Sequence, residues 1–219
     1  MIRISLLLSI GLLFANSASA VCMFNSGARS IFTIPPATIQ ISADTAVDGS
    51  KPIAEFESPQ LGHEIVYSNC DIGSEYGKRV IDLQDHDAAE RTFKTNIPGI
   101  VVKPLWQNGN GTWGRFPSTS FIPAHGTSPT VIYVHPATSA FKIQFFKISD
   151  TVQLTDPDGD LLITPGDIAY TYLMNSDPSA FLTKLSVSEI RLVSTPVCTA
   201  DSSKTVNFEQ VSPVMLRAG

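Results

Sequence analysis

The sequence predicts an all-β protein built as an elongated β-sandwich, on the strength of its punctuation and its apolar patterning. Fifteen prolines and 14 glycines divide the 219 residues into short pieces, and no long amphipathic helical pattern survives between them. Within these pieces apolar and polar residues alternate, and turn signals recur at regular spacing. Short alternating segments of this kind are typical of a sandwich or a barrel.

Strands are predicted wherever the alternation runs uninterrupted between turn signals. In chain order they cover residues 38–42, 52–56, 63–70, 79–83, 101–106, 130–134, 140–148, 161–163, 167–174 and 182–193. Asp48-Gly49 marks a turn, and residues 96–100 form a bend that contains Pro98-Gly99. The Pro165-Gly166 turn predicts that 161–163 and 167–174 form a hairpin-like pair.

The first 20 residues have the pattern of a secretory signal. Arg3 supplies the positive charge, residues 4–14 are apolar, and Ala18-Ser19-Ala20 has the small residues of a cleavage site. The apolar run is too short to span a bilayer, although a retained anchor is the alternative interpretation. Cleavage after Ala20 would leave a mature chain that begins at Val21.

Charge and motifs argue against two classes of function. The formal net charge is −5, and no cluster of Lys and Arg follows one face, so a nucleic-acid partner is not expected. The chain has no G-x-S-x-G, H-E-x-x-H or P-loop motif, so neither an enzyme nor a cofactor is expected.

Three segments carry a resemblance to a known family. They are Phe-Lys-Thr-Asn-Ile-Pro-Gly-Ile at 93–100, the strand at 141–148 followed by Ile-Thr-Pro-Gly-Asp-Ile-Ala at 163–169, and Thr-Pro-Val-Cys at 195–198. Together they resemble the tip adhesins of chaperone–usher fimbriae. Val101 departs from the pattern, because the family has a second glycine at that place.

The resemblance implies a two-domain organisation. Residues 1–20 would be the signal peptide, and 21–194 an adhesin domain of immunoglobulin-like or jelly-roll type that binds a receptor. Residues 195–219 would be the first strand of an incomplete immunoglobulin-like pilin domain, with Val206 and Phe208 in alternation. About twenty-five residues are too few to fold alone, so this second domain is expected to be truncated.

The resemblance also implies partners and a location. A pilin domain lacks its last strand, and an added strand from a periplasmic chaperone, and later from the adjacent pilus subunit, covers the open edge. An outer-membrane usher would export the chain to the cell surface. A mature chain beginning at Val21-Cys22 has no extension to donate, which places it at the fimbrial tip. The alternative is a minor pilin or adaptor that binds no glycan.

The domain division suggests a disulfide. Cys22 and Cys70 both fall in the first domain, and an exported chain meets an oxidising compartment. On the chain-entropy model, a bridge that closes this loop stabilises the fold by about 4 kcal/mol. Cys198 is then left over, either because its pilin partner is lost or because it is a buried free thiol.

A loop flanked by two tryptophans is the candidate glycan site. Sugars are recognised by an aromatic face together with amides and charged groups that bond their hydroxyls. The stretch from 106 to 115 offers both, and its candidate ligand-binding residues are Trp106, Asn108, Asn110, Trp113 and Arg115. The alternative is a hairpin turn whose tryptophans pack on the sandwich.

Metal sites are the third hypothesis. His63, His86 and His125 are the candidate ligands, although no histidine pair has the spacing of a familiar zinc motif. Otherwise these three, with His135, are residues at the surface or at strand ends. Residues 156–160 resemble part of a calcium loop but lack its sixth-position glycine and twelfth-position glutamate, so a hairpin turn is the simpler interpretation.

Overall fold

A computed structural model describes residues 22–42 and 44–195, and it confirms the all-β prediction. The predicted signal segment, Cys198 and the chain beyond Thr195 lie outside the described residues. The strands are β1 (Met23–Ser26), β2 (Ser30–Ile34), β3 (Ala37–Ser42), β4 (Ala54–Glu57), β5 (Ile65–Asp71), β6 (Glu75–Val80), β7 (Asp85–Asp87), β8 (Thr92–Lys94), β9 (Ile100–Gln107), β10 (Gly114–Arg115), β11 (Ser118–Phe121), β12 (Thr130–His135), β13 (Ala140–Lys147), β14 (Asp160–Ile163), β15 (Gly166–Leu173), β16 (Thr183–Val187) and β17 (Ile190–Thr195). A single 3₁₀ turn covers Pro178–Ala180. Within these ranges no helix is long and apolar enough to cross a membrane.

The strands assemble into four open sheets. The largest has the order β4-β13-β9-β8-β7, with β10 paired to β9, and the next has the order β11-β6-β15-β16-β2. Two three-stranded sheets, β1-β5-β12 and β14-β17-β3, extend the sandwich. One continuous apolar core draws on all four sheets. Phe32 of β2 meets Phe141 of β13 with ring centroids 5.7 Å apart, so the two large sheets pack face to face.

The chain crosses between the same two sheets at two adjacent connections, β2 to β3 and β16 to β17. Strand β2 pairs in parallel with β16, and β3 pairs in parallel with β17 in a different sheet. Pro35-Pro36 separates β2 from β3, because proline lacks the N–H that a ladder needs. At the crossing, the Ser188 N–H donates to the Ile34 carbonyl (2.9 Å), and the Ala37 N–H donates to the Glu189 carbonyl (3.0 Å). These bonds keep the two crossings together.

The predicted disulfide is confirmed. Cys22 and Cys70 are bonded across 48 positions of sequence, and Cys70 is fully buried in β5. The bond therefore ties the segment that precedes β1 to the sheet β1-β5-β12.

Three sequence predictions of local structure were wrong. Strands β14 and β15 do not form a hairpin: β14 pairs with β17, whereas β15 pairs with β16 and β6. The single strand predicted over 182–193 is two strands in different sheets, separated at Ser188-Glu189. The strand predicted over 79–83 lies earlier, as β6, and the chain bends at Ile81.

Candidate functional site

A cavity of about 360 Å³ opens where three sheets meet, and we call it the Trp106 cavity. Residues 76–78 of β6 form one wall, and residues 131–135 of β12 form the other. Trp106 and Thr171 also line it, and Asn108 and Asn110 stand on its rim. Of the two walls, β12 is an edge strand of its sheet, whereas β6 lies between β11 and β15.

The indole of Trp106 has a fixed position at the base of this cavity. Only 5% of the residue is exposed. Its ring stacks on His135 with centroids 4.8 Å apart, and it meets Phe141 edge to face at 4.6 Å. Contacts of these geometries are the favourable ones for aromatic rings. The base is therefore held in place before any ligand arrives.

His135 is a neutral part of the cavity base. It is 3% exposed, and burial lowers its pKa to about 3, so the imidazole carries no charge near neutrality. One ring nitrogen lies 3.4 Å from the Tyr133 hydroxyl, and the other lies 3.4 Å from the Thr171 hydroxyl. A neutral imidazole has one donor and one acceptor, so it can pair with both hydroxyls.

Tyrosine rings form part of the cavity lining. Tyr76 and Tyr133 meet with centroids 5.4 Å apart at an angle of 59°. Burial raises the pKa of the Tyr133 hydroxyl, which therefore stays protonated and uncharged. With Trp106 they give the cavity aromatic surfaces that also carry hydrogen-bonding groups.

Lys78 is the one lysine among the described residues that line the cavity. Its Nζ lies 5.7 Å from the ring centroid of Phe116. Burial lowers the pKa of the ammonium to about 8, and the charge of Arg91 acts in the same direction. A Cβ added to Gly114 would collide with this Nζ, so the glycine makes room for the lysine.

The rim is a short loop that joins β9 to β10. Asn108 and Asn110 are exposed, and the Asn110 Oδ1 accepts a hydrogen bond from the Thr112 N–H at 2.9 Å. Gly109 has a φ of 85°, and a Cβ there would collide with the Thr138 side chain. Glycine therefore lets the loop backbone approach Thr138 closely, between the two asparagines that line the cavity.

The structure divides the five predicted ligand-binding residues between two sites. Trp106, Asn108 and Asn110 line the Trp106 cavity, whereas Trp113 and Arg115 line a separate cavity of about 610 Å³. The reason is that successive side chains on a strand point to opposite faces of the sheet. Gly114 of β10 stands opposite Trp106, so its neighbours in sequence point to the other face of the sheet.

On that other face Trp113 and Arg115 have partners of their own. Lys142 places its Nζ 4.5 Å from the ring centroid of Trp113, and Arg115 pairs with Glu90 at 3.3 Å. These are a cation–π contact and an exposed ion pair, and both lie on the face of the sheet opposite the Trp106 cavity.

The candidate metal ligands lie apart from one another. His63 is bound to the backbone of Ala28, its Nε2 lying 2.9 Å from the carbonyl oxygen. His86 is exposed on β7, and His125 lies at the cavity mouth in an isolated bridge with Ser128. In residues 22–42 and 44–195, no three His, Cys, Asp or Glu side chains come together as metal ligands would.

The acidic loop at 156–160 is a self-bonded turn. The Asp160 carboxylate accepts hydrogen bonds from the Thr155 N–H (2.6 Å) and the Thr155 hydroxyl (2.7 Å). The Arg191 guanidinium donates to the Gly159 carbonyl at 2.6 Å. These bonds use the oxygens that a calcium ion would need.

Sequence reasoning missed several residues of the cavity. Tyr76, Lys78, Tyr133 and Thr171 come from three strands in two different sheets, and no local motif joins them. The sequence predicts His135 at the surface or at a strand end; it lies at the end of β12 but is buried. One signal could have identified Lys78: on its strand it shares a face with the apolar residues Tyr76 and Val80, which places a charged side chain on an inward-facing row.

Comparisons with known proteins give a likeness at the level of fold. The chain is similar to the receptor-binding domain of the plasmid-born adhesin MrkD1P of Klebsiella pneumoniae, with a TM-score of 0.56 and 19% identity over 83% of this chain and 99% of that domain. Because the identity is this low, the likeness shows a shared fold and nothing further.

Two other solved structures align less well. The CupB6 tip adhesin of Pseudomonas aeruginosa has a TM-score of 0.42 and 10% identity, over 80% of this chain and 44% of that one. The Ambient Temperature Fimbriae adhesin AtfE of Proteus mirabilis has a TM-score of 0.35 and 10% identity, over 77% and 99% respectively. Neither TM-score is high enough to carry an argument. No protein-family model matches the sequence, and no curated protein matches it.

Proposed function

We propose that this chain is the receptor-binding part of a fimbrial tip adhesin, and that the Trp106 cavity receives a host glycan. The observation that carries the proposal is the cavity itself. It joins a fixed indole at its base to amides at its rim, in the opening between β6 and the edge strand β12. An aromatic base for the C–H face of a sugar, with amides for its hydroxyls, is the chemistry of a saccharide site.

The likeness in fold to the receptor-binding domain of the MrkD1P adhesin supports this proposal. In the proposal, the chain is exported through the periplasm and stands at the tip of a fimbrium on the cell surface. A chaperone, an usher and an adjacent subunit would be its assembly partners through a pilin domain that follows Thr195. The chain would act by binding, without catalysis.

A glycan array with the full chain, exported to the periplasm so that the Cys22–Cys70 bond forms, tests the proposal. We expect binding to at least one host saccharide. The double variant N108A/N110A should weaken that binding at least tenfold and lower the melting temperature by no more than about 4 °C, because both amides are exposed and only one loop hydrogen bond, from the Thr112 N–H to the Asn110 Oδ1, is described for them. N96A is the matched control, since Asn96 is an exposed amide beside a different cavity.

A chain that binds no saccharide yet enters fimbriae normally would contradict the lectin proposal. That result would favour the alternative of a minor pilin or adaptor. A saccharide whose binding N108A/N110A leaves unchanged would place the site elsewhere on the molecule.

A further inference from the structure

Lys78 extends from the inner side of its strand. Side chains two apart on a strand share a face, and the neighbours of Lys78 on its own face are Tyr76 and Val80, which both pack against the core. The aliphatic stem of Lys78 is therefore directed inward. Its ammonium ends at the Trp106 cavity, between the Phe116 ring and the bare backbone of Gly114.

This ammonium differs from those of the other lysines that the sandwich covers. Lys142 pairs with Glu55 at 2.7 Å, Lys184 with Asp167 at 2.9 Å, and Lys103 with Glu90 at 3.6 Å. Lys147 donates to the Thr45 carbonyl. The Lys78 ammonium, by contrast, makes no hydrogen bond or ion pair with any residue in 22–42 or 44–195, and the contact that it does make is with the Phe116 ring.

The cavity around it holds no negative charge. Among its described lining residues are Lys78, His125 and His135, but no Asp and no Glu. The sign of the charge at the cavity is therefore opposite to that of the whole chain, whose formal net charge is −5. Arg91 is near enough to act on Lys78 electrostatically, and it adds a second positive charge on that side.

A covered ammonium without a partner is unfavourable for the folded chain, because it has lost water and gained no counter-charge. Burial lowers the pKa of Lys78 to about 8, yet at neutral pH most of the population remains charged. An anion that enters the cavity would remove this unfavourable state, so the charge favours an anionic ligand over its neutral analogue.

We propose that the saccharide received by the Trp106 cavity carries an acidic group, a carboxylate or a sulfate, and that Lys78 pairs with it. The inference rests on the proposed function above and specifies the class of its ligand. Trp106 would hold the sugar ring, Asn108 and Asn110 would bond its hydroxyls, and Lys78 would select for the anionic substituent.

Isothermal titration with matched ligands tests the inference. The ligands are lactose, lactose bearing a terminal N-acetylneuraminic acid, and lactose bearing one sulfate. We expect the wild-type chain to bind one acidic ligand at least tenfold more tightly than lactose, and the stronger of the two identifies the anion. Raising the salt concentration should reduce this preference and leave lactose binding unchanged.

Variants of Lys78 assign the preference to this side chain. K78M keeps the length of the side chain and removes its charge, so it should bind acidic and neutral ligands equally. K78R should retain part of the preference. K51M is the matched control, because Lys51 is exposed, lies outside the cavity and carries the same charge. If K78M does not fold, G114A serves instead, since the added Cβ displaces the Lys78 ammonium while keeping its charge.

The outcomes separate this inference from the proposed function. Lactose bound as tightly as both acidic ligands, or a preference that survives in K78M or G114A, would overturn the inference and leave the glycan site intact. Binding of no saccharide would overturn both. Binding of polyglutamate with the affinity of the acidic sugar would show that Lys78 recognises acidic polypeptide rather than a saccharide.

Discussion

Trp106 and His135 lie with their rings 4.8 Å apart and 25° from parallel, and the two together form the base of the candidate binding cavity. They come from different sheets: Trp106 from β9 and His135 from the end of β12. The stack therefore fastens an edge strand to the centre of the sandwich. A change in either ring should alter both the stability of the fold and the shape of the site.

The first prediction concerns acid stability. His135 has a pKa of about 3 in the folded chain, whereas the ordinary value is 6.5. Below pH 6.5 the unfolded chain binds one more proton at this residue, so the free energy of unfolding should fall by about 1.4 kcal/mol per pH unit towards pH 3. Urea unfolding at pH 7, 5 and 4 measures this slope, and H135Q should make it shallower.

The matched control for this prediction is H86Q, which removes an exposed histidine from β7. Its slope should equal that of the wild-type chain. A slope that H135Q leaves unchanged would show that the imidazole of His135 is charged or solvated in the folded state.

The second prediction concerns the cost of Lys78 to the fold. Its pKa is about 8 when folded against 10.5 ordinarily, so between these values the unfolded chain binds more protons and stability should rise with pH. K78M should lack this rise. It should also be more stable at pH 7 by about 1 kcal/mol, a value reduced to allow for the solvent that partly screens the ammonium.

Chemical denaturation from pH 7 to pH 10.5 checks this prediction, with K51M as the control for the loss of one positive charge. Tyrosines also titrate near the upper limit, so the quantity to compare is the difference between the two variants. Equal pH profiles for K78M and K51M would mean that the ammonium of Lys78 is fully hydrated.

The third prediction concerns the second face of the loop from 106 to 115. W113A and R115A should leave saccharide affinity within about twofold of wild type, because both side chains line a separate cavity behind the sheet. N108A/N110A, from the same loop, should lose at least tenfold. A large loss of affinity in W113A would show that the ligand reaches around the sheet edge to that face.

The fourth prediction concerns the disulfide. Reduction of Cys22–Cys70, or the double variant C22S/C70S, should lower the free energy of unfolding by about 4 kcal/mol, as chain entropy predicts for a loop of 48 residues. Urea unfolding with and without dithiothreitol measures the loss. C22S/C70S should not respond to dithiothreitol, and a wild-type chain equally unaffected would contradict the prediction.

The sequence was sufficient for the fold class and for much of the strand pattern. Strands β3, β5, β9, β12 and β13 are close to their predicted positions, because their apolar residues alternate or run together between clear turns. Pairing was harder to predict. Pro165-Gly166 has the residues of a hairpin turn, yet the strands on either side of it join different sheets. A turn signal shows where a strand ends and leaves its partner undetermined.

The candidate site was half predictable for a similar reason. Trp106, Asn108 and Asn110 lie within five residues of one another, so the composition of this stretch alone indicated a candidate binding loop. Trp113 is also a tryptophan of this loop, but its side chain points to the opposite face of the sheet. Which face it takes depends on the register of β10 against β9. Lys78 and His135 joined the site through contacts between sheets, which no local pattern encodes.

The register of β17 on β3 has a mechanical consequence. Six successive residues, Ile190 to Thr195, pair in parallel with Ala37 to Ser42, and none of the described residues that line the Trp106 cavity belongs to either strand. Tension applied at Thr195 along the strand would load these ladder bonds in shear, all at once, instead of peeling them apart singly. A pull at Thr195 would therefore be resisted first by the β3–β17 ladder, which lies outside the Trp106 cavity.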